Sequence, residues 1–215
     1  RRTRQHRGRR GCGGGMNARR MLGGAAALAL AVTLAACTGG GDTLADEYRQ
    51  GSDKGYIAGN YDVVEIPAAE RGEPVEFAGV TERGEPVSNE DSVGQVLVVN
   101  FWNAACGPCR VEAPLLESVW QEYEGQDVSF LGVNTYDQPD TALAFAETYG
   151  VTYPSVIDIN DKNVGLAFAD ATPIQATPTT LVLDREGRVA ARIIGQLESE
   201  SILSTLVRDL LAESS

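Results

Sequence analysis

The chain has 215 residues, enough for one ordinary domain with a hydrophobic core, and carries 18 basic against 30 acidic side chains, a net charge of −12. Residues 1–36 hold eight Arg and no Asp or Glu, so the remainder keeps ten basic against thirty acidic groups. A body this acidic excludes nucleic acid and an anionic bilayer surface as electrostatic partners; a soluble, well-solvated surface accounts for the excess.

The only histidine, His6, lies in the basic N-terminal arm. With that arm removed the chain has none, which excludes Ser-His-Asp and Cys-His catalysis and His-containing metal sites in the body. The four cysteines divide by position. Cys12 lies in an Arg/Gly-rich stretch, Cys37 ends an apolar segment, and Cys106 and Cys109 form a pair. None is left for structural disulfides or a four-thiolate zinc site, so neither a metal nor a cofactor is expected.

From Met16 the chain reads Asn-Ala-Arg-Arg, then an apolar run over Met21–Ala36, then Leu34-Ala35-Ala36-Cys37 and a Thr-Gly-Gly-Gly spacer. A basic start, a short apolar core and small residues before a break mark residues 1–36 as a secretory signal region. The run is too short and too rich in Ala and Gly for a good membrane span. Leu-Ala-Ala-Cys resembles the bacterial lipobox, which implies that Cys37 becomes the lipidated first residue of the mature protein. Ordinary secretory cleavage with Cys37 incidental is the alternative. Residues 1–15 read as lying upstream of a true start at Met16, with a basic nucleic-acid arm as the other option. Residues 37–60, rich in Gly, Asp, Ser and Asn, read as a lipid-anchored flexible tether, and 61–215 as the folded domain.

Short strand-like pieces run from Tyr61 to Ser88, with Arg83-Gly84-Glu85 as a turn, and predict an N-terminal hairpin. Ser88-Asn89-Glu90-Asp91 predicts one capped helical turn, broken at Val93-Gly94-Gln95. Val96–Phe101 is a continuous apolar run, expected of a strand buried on both faces of a mostly parallel sheet. Next come helix 107–123, strand 128–133, helix 142–149, strand 155–159, a short helix 163–168 and strand 179–183. A tight turn at 184–187 leads into strand 189–194. Leu197, Ile202, Leu203, Leu206, Val207, Leu210 and Leu211 keep a 3.6-residue period and predict a final amphipathic helix. The order gives an α/β sandwich with one central sheet.

Cys106-Gly107-Pro108-Cys109 between a buried strand and a helix places two thiols where the helix dipole and free N–H groups favour thiolate. Cys-x-x-Cys beside a βαβ pattern signals a thioredoxin-like redox site. Ala176-Thr177-Pro178-Thr179 precedes a predicted strand, where Pro178 would carry a cis peptide beside the dithiol; an ordinary trans proline is the alternative. On a helical projection of 109–123, Val111, Leu115, Leu116, Val119, Trp120 and Tyr123 share an apolar arc. Glu112 falls near its middle, on the side of Cys109, while Arg110, Glu117, Gln121 and Glu124 face the other way. A carboxylate in an apolar stripe has its pKa raised, and Glu112 is read as a buried acid exchanging protons with Cys109. A kink at Pro114 turning Glu112 to solvent is the alternative.

Asn100-Phe101-Trp102 with Cys-Gly-Pro-Cys and Glu112-Ala113-Pro114 resembles the TlpA/ResA family of extracytoplasmic, membrane-anchored thioredoxin-like proteins, over roughly Phe77 to the C-terminus. The resemblance implies a thioredoxin-like fold, a central mixed sheet flanked by helices with an N-terminal β-hairpin extension. It also implies thiol–disulfide exchange with protein substrates, often in cytochrome c maturation, and a membrane electron donor or acceptor. Ala105 departs from the pattern, since the family commonly has tryptophan beside the first cysteine. Position 100, an acid in thioredoxin itself, is Asn here. Cys106 would attack as thiolate and Cys109 resolve; Gly107 and Pro108 would shape the turn, Trp102 would pack beside the site, and Thr177-Pro178 would face the substrate. The Gly-Pro dipeptide favours a reductase. Oxidative disulfide formation is the nearest alternative, and a non-catalytic binding lipoprotein the more distant one.

Overall fold

The computed structural model describes residues 56–58, 61–171 and 176–213. The signal region, Cys37 and most of the tether lie outside them, and the described residues fall within the unit Lys54–Ser215. The elements run β1 (Tyr56–Ala58), β2 (Tyr61–Glu65), β3 (Ala78–Val80), β4 (Pro86–Ser88), β5 (Val96–Trp102), α1 (Gly107–Tyr123) and β6 (Val128–Asn134). They continue with α2 (Pro139–Tyr149), β7 (Ser155–Ile157), α3 (Asn163–Ala171), β8 (Thr179–Leu183), β9 (Val189–Ile194) and α4 (Glu200–Ala212).

Seven strands form one mixed sheet in the order β1-β2-β9-β8-β5-β6-β7. β5 pairs in parallel with β6 and β6 with β7, while β8 lies antiparallel to β5. All seven residues of β5 are buried, because both sheet faces are covered. Val96 and Val98 pack with Leu116 and Val119 of α1 and Leu203 and Val207 of α4. Leu97, Val99 and Phe101 pack on the other face with Phe77, Val164 and Phe168. A run that alternated apolar and polar residues could not serve two cores at once.

The predicted N-terminal hairpin divides in two. β3 and β4 form a separate antiparallel pair, turned at Gly84 with φ of 80°. β1 and β2 form another, and β2 joins the main sheet against β9. The sheet therefore begins at Tyr56, inside the stretch 37–60 that composition assigns to a tether. The β3–β4 unit docks on the β7 edge, where the Glu82 amide donates to the Ser155 carbonyl at 2.9 Å and Glu82 Oε2 accepts from the Ser155 amide at 2.7 Å.

The helical turn after Ser88 forms over Asn89–Ser92, with the Ser88 amide donating to the Asp91 carboxylate at 2.7 Å. α2 starts three residues earlier than its apolar period suggests, because Pro139 opens it, where a missing N–H costs nothing. β7 stops at Ile157 rather than Ile159 because Asp158 turns away to accept from the Val164 and Gly165 amides at the start of α3, both at 2.9 Å. Ser199 caps α4, so Leu197 lies in the preceding loop, fully buried.

Candidate active site

α1 runs over the span its sequence predicts, and the apolar arc faces the core except at its rim, where Val111 is 57% exposed. The expectation for Glu117 needs correction. It is buried, not solvent-facing, because the Val151–Tyr153 segment closes over that side of the helix. Its carboxylate accepts from the Thr152 amide at 2.8 Å, the Thr152 hydroxyl at 2.7 Å and the Gln121 side chain at 2.9 Å.

Cys106 is the N-cap of α1 and Pro108 lies in its first turn. Cys106 and Cys109 are joined in a disulfide, with Cα atoms 5.3 Å apart. The two sulfurs are unequal in access: Cys106 is half-buried and Cys109 is 2% exposed. The Cys109 amide donates to Cys106 Sγ at 3.1 Å. An N–H aimed at that sulfur stabilises the thiolate it becomes on reduction. Cys109 packs with Ala113, Trp102 and Phe145, and the Trp102 and Phe145 rings are 4.3 Å apart. Trp102 therefore walls the buried sulfur, with its indole N–H donating to Ser155 Oγ at 3.2 Å.

Glu112 lies one turn beyond Cys109 and is 1% exposed; Pro114, two residues on in the same helix, is itself exposed and does not turn the carboxylate outward. Asn100 of β5 donates to Glu112 Oε1 at 2.8 Å, and the Leu197 amide donates to Oε2 at 2.8 Å. Asn100 also donates to Thr180 Oγ1 at 3.0 Å, tying the acid to β8. Burial pushes the Glu112 carboxyl up to about 7, against the downward pull of the Leu197 and Asn100 hydrogen bonds. A carboxylic acid that titrates near neutrality, one helical turn from a buried sulfur, has the acidity that proton exchange at that pH requires.

The Thr177–Pro178 peptide is cis. Thr177 Oγ1 accepts from the Asn103 side chain at 3.0 Å, which joins the loop before β8 to the loop before Cys106. The structure thus brings Trp102, Cys106, Gly107, Pro108, Cys109, Glu112, Thr177 and Pro178 to one end of the sheet. Asn103, Asp137 and the Leu197 amide, which hold the site's loops and Glu112, carry no local signal in the sequence. A polar Asn100 inside an apolar strand was the one visible sign that Glu112 has a fixed partner. Among the described residues no group of three or more His, Cys, Asp or Glu side chains is placed to hold a metal ion, and no helix is long and apolar enough to cross a membrane.

A parallel β5-α1-β6 unit, an antiparallel β8-β9 pair, a disulfide at the start of α1 and a cis-proline loop bonded to the segment before it define a thioredoxin-fold protein. Residues 72–192 match the AhpC/TSA family. The chain is 30% identical over 119 residues to the thiol-disulfide oxidoreductase ResA of Halalkalibacterium halodurans, covering 55% of this chain and 65% of that one. It is 34% identical to the thiol:disulfide interchange protein HelX of Rhodobacter capsulatus, covering 55% and 62%. The match thus spans a little under two thirds of the length of these relatives. The thioredoxin-like protein YneN of Bacillus subtilis is 30% identical over 162 residues, 72% of this chain and 91% of that one. Among solved structures, a secreted thiol-disulfide isomerase from Corynebacterium glutamicum is similar, with a TM-score of 0.62 at 25% identity over 70% of this chain and 92% of that one. A thioredoxin-family thiol:disulfide interchange protein from Chlorobium tepidum matches with a TM-score of 0.62 at 27% identity, over 68% and 100%. The chain belongs to the AhpC/TSA family, in its TlpA/ResA-like branch.

Proposed function

We propose that this protein is an extracytoplasmic thiol–disulfide oxidoreductase that reduces protein disulfides through Cys106 and Cys109. The observation that carries the reading is the unequal pair, a half-buried Cys106 capping α1 and a buried Cys109 one turn from the Glu112 carboxyl. In the reduced protein the Cys106 thiolate attacks a substrate disulfide, forms a mixed disulfide and expels one substrate thiolate. Cys109 then gives its proton to Glu112 and attacks Cys106 Sγ, which releases the second substrate thiol and leaves the Cys106–Cys109 disulfide. Two electrons pass to the substrate, and a thiol donor at the membrane must return them. Thr177-Pro178 forms the wall against which the substrate strand would lie.

Trapping tests this reading. A Cys109→Ala variant should hold substrate proteins as mixed disulfides on Cys106, and a Cys106→Ser variant should hold none. A cytochrome c apoprotein among the trapped species would place the reaction in cytochrome maturation, and a broad set of secreted proteins in general folding. Failure to trap any protein, with Cys106 unreactive to alkylation after mild reduction, would leave a non-catalytic binding lipoprotein. The similarity to a secreted thiol-disulfide isomerase favours the oxidative direction as the second reading. A reduction potential well above thioredoxin's roughly −270 mV would decide for it.

The address follows from the N-terminal pattern. Residues 1–36 act as a secretory signal, Cys37 carries a lipid anchor, and the residues after it hold the domain off the membrane. Mass spectrometry of the mature protein should find an acylated Cys37 as its first residue.

A further inference from the structure

The loop that leads into the dithiol, Asn103-Ala104-Ala105, offers little side chain by which to hold it. Ala105 is exposed and Ala104 half-buried. Backbone groups take over. The Trp102 carbonyl accepts from the Thr135 amide at 3.1 Å, and the Cys106 amide donates to the Asn103 carbonyl at 3.2 Å. Ala104 between them is gripped at both ends of its backbone. Its N–H donates to Asp137 Oδ2 at 2.6 Å, and its carbonyl accepts from Arg110 Nε at 2.8 Å and Nη2 at 2.6 Å.

Each grip is itself held. Asp137 Oδ2 also accepts from the Asn134 side chain at 3.0 Å, and Asn134 Oδ1 accepts from the Asp137 amide at 2.7 Å. Asn134 is fully buried at the end of β6, so the carboxylate stands on the sheet rather than on a free loop. Arg110 is four residues beyond Cys106 on α1, and its amide donates to the Cys106 carbonyl at 3.4 Å. Among the described residues Arg110 forms no ion pair. Its guanidinium is spent on a neutral carbonyl, two residues from the attacking sulfur, where its charge is left uncompensated by direct contact.

We propose that Arg110 and Asp137 are positioning residues that clamp the Ala104 peptide from opposite ends, and that their opposite charges set the acidity of Cys106. This rests on the reading of Cys106 as the attacking thiol. A nearby cation favours thiolate and a nearby anion disfavours it. A stabilised thiolate also stabilises the reduced dithiol and makes the disulfide more oxidising. The two groups therefore pull Cys106 in opposite directions while serving the same mechanical end.

That opposition separates charge from mechanics. Alkylation of Cys106 by iodoacetamide, followed against pH in a Cys109→Ala background, reads the thiolate fraction; glutathione equilibrium of the intact dithiol reads the potential. Arg110→Gln should move the alkylation midpoint up by about 0.5–1 pH unit, slowing the reaction about 3- to 10-fold below the midpoint, and lower the potential. Asp137→Asn keeps an oxygen for the Ala104 N–H and should move both the other way. Arg110→Lys, which keeps the cation, should return the midpoint to the parental value. Circular dichroism on each variant checks that the fold is intact. Shifts of the same sign in Arg110→Gln and Asp137→Asn, or none in either, would overturn the proposal. Insulin reduction by the unsubstituted protein is read alongside. Its absence defeats the assigned activity, whereas its presence with unmoved midpoints defeats only the clamp.

Discussion

The Asn100 side chain donates to Glu112 at 2.8 Å across the gap between the central strand and the first helix, and both residues are buried. Where thioredoxin itself has an acid at position 100, this protein has an amide, and a deep carboxyl one turn beyond Cys109 sits on the helix instead. The amide fixes the rotamer of the acid without competing for its proton. It donates to Glu112 and Thr180 at once, two bonds that an ionised acid in its place could not make.

Glu112 should leave a signature in stability. Its carboxyl titrates near 7 when folded, against 4.5 for the ordinary group, so across that window the folded protein holds a proton the unfolded chain has released. Stability therefore falls as pH rises from about 4.5 to 7, by roughly 3 kcal/mol in all, and is flat above. In Glu112→Gln most of that fall should be lost from urea unfolding of the oxidised protein, leaving only the share of Asp158, whose carboxyl burial also pushes up. The variant should also be less stable at pH 4.5, by about 1–3 kcal/mol, because the new NH2 must face either the Asn100 or the Leu197 donor. A slope that persists in full would assign the titration to another group. The same variant should flatten the dependence of exchange rate on pH near neutrality.

Asn100→Asp makes the converse test. A second carboxyl 2.8 Å from the first cannot ionise alongside it at moderate cost, so the pair should share one proton and titrate as a unit. The variant should fold well near pH 5 and lose several kcal/mol by pH 8, a steeper fall than the parent shows. Denaturation midpoints at the two pH values measure it. Equal losses at both would mean that the site admits water and screens the pair.

The fold was legible where one segment carries its own signal. The β5 run, the Cys-Gly-Pro-Cys helix start, the 184–187 turn and the leucine period of α4 each combine apolar period with a capping or turn residue, and none needs a distant partner. For the candidate site, the cysteines, Glu112, Trp102 and Pro178 follow from local pattern and family resemblance. What escaped depends on pairs far apart in the chain. The Leu197 amide reaches Glu112 across 85 residues, Asp137 reaches Ala104 across 33, and Thr152 reaches Glu117 across 35. A helical projection sees only one helix. It put Glu117 on the solvent side because nothing in α1 reveals that Val151–Tyr153 folds over it.

Glu117 should accordingly behave as a structural carboxylate rather than a surface charge. Replacing it with Ala removes the acceptor for the Thr152 amide and hydroxyl and loosens the segment that leads into β7. The expected loss is about 1–3 kcal/mol, where a surface glutamate would cost within about 0.5. Because its contacts lie away from the dithiol, alkylation of Cys106 in the folded variant should keep its parental pH midpoint. Urea unfolding and the alkylation profile together decide it, and a moved midpoint would tie Glu117 to the site.

Gly132 sets how closely β6 and β7 pass beneath Trp102. It stands opposite Ser155 in the parallel ladder, and a Cβ there would collide with Ser155 Oγ and lie 2.9 Å from the Trp102 indole nitrogen. Those two atoms are already hydrogen-bonded at 3.2 Å, so any side chain at 132 must wedge between them. Gly132→Ala should cost about 1–3 kcal/mol through overpacking, and should shift tryptophan fluorescence as the indole leaves Ser155 and its stack on Phe145. Ser155→Ala alone forfeits the indole bond, about 1 kcal/mol, but it also removes the oxygen that the new methyl strikes. The double variant should therefore lose clearly less stability than the two single losses together, since the residues are in contact. Losses that simply add would mean that the backbone at Gly132, rather than the Ser155–Trp102 contact above it, requires glycine.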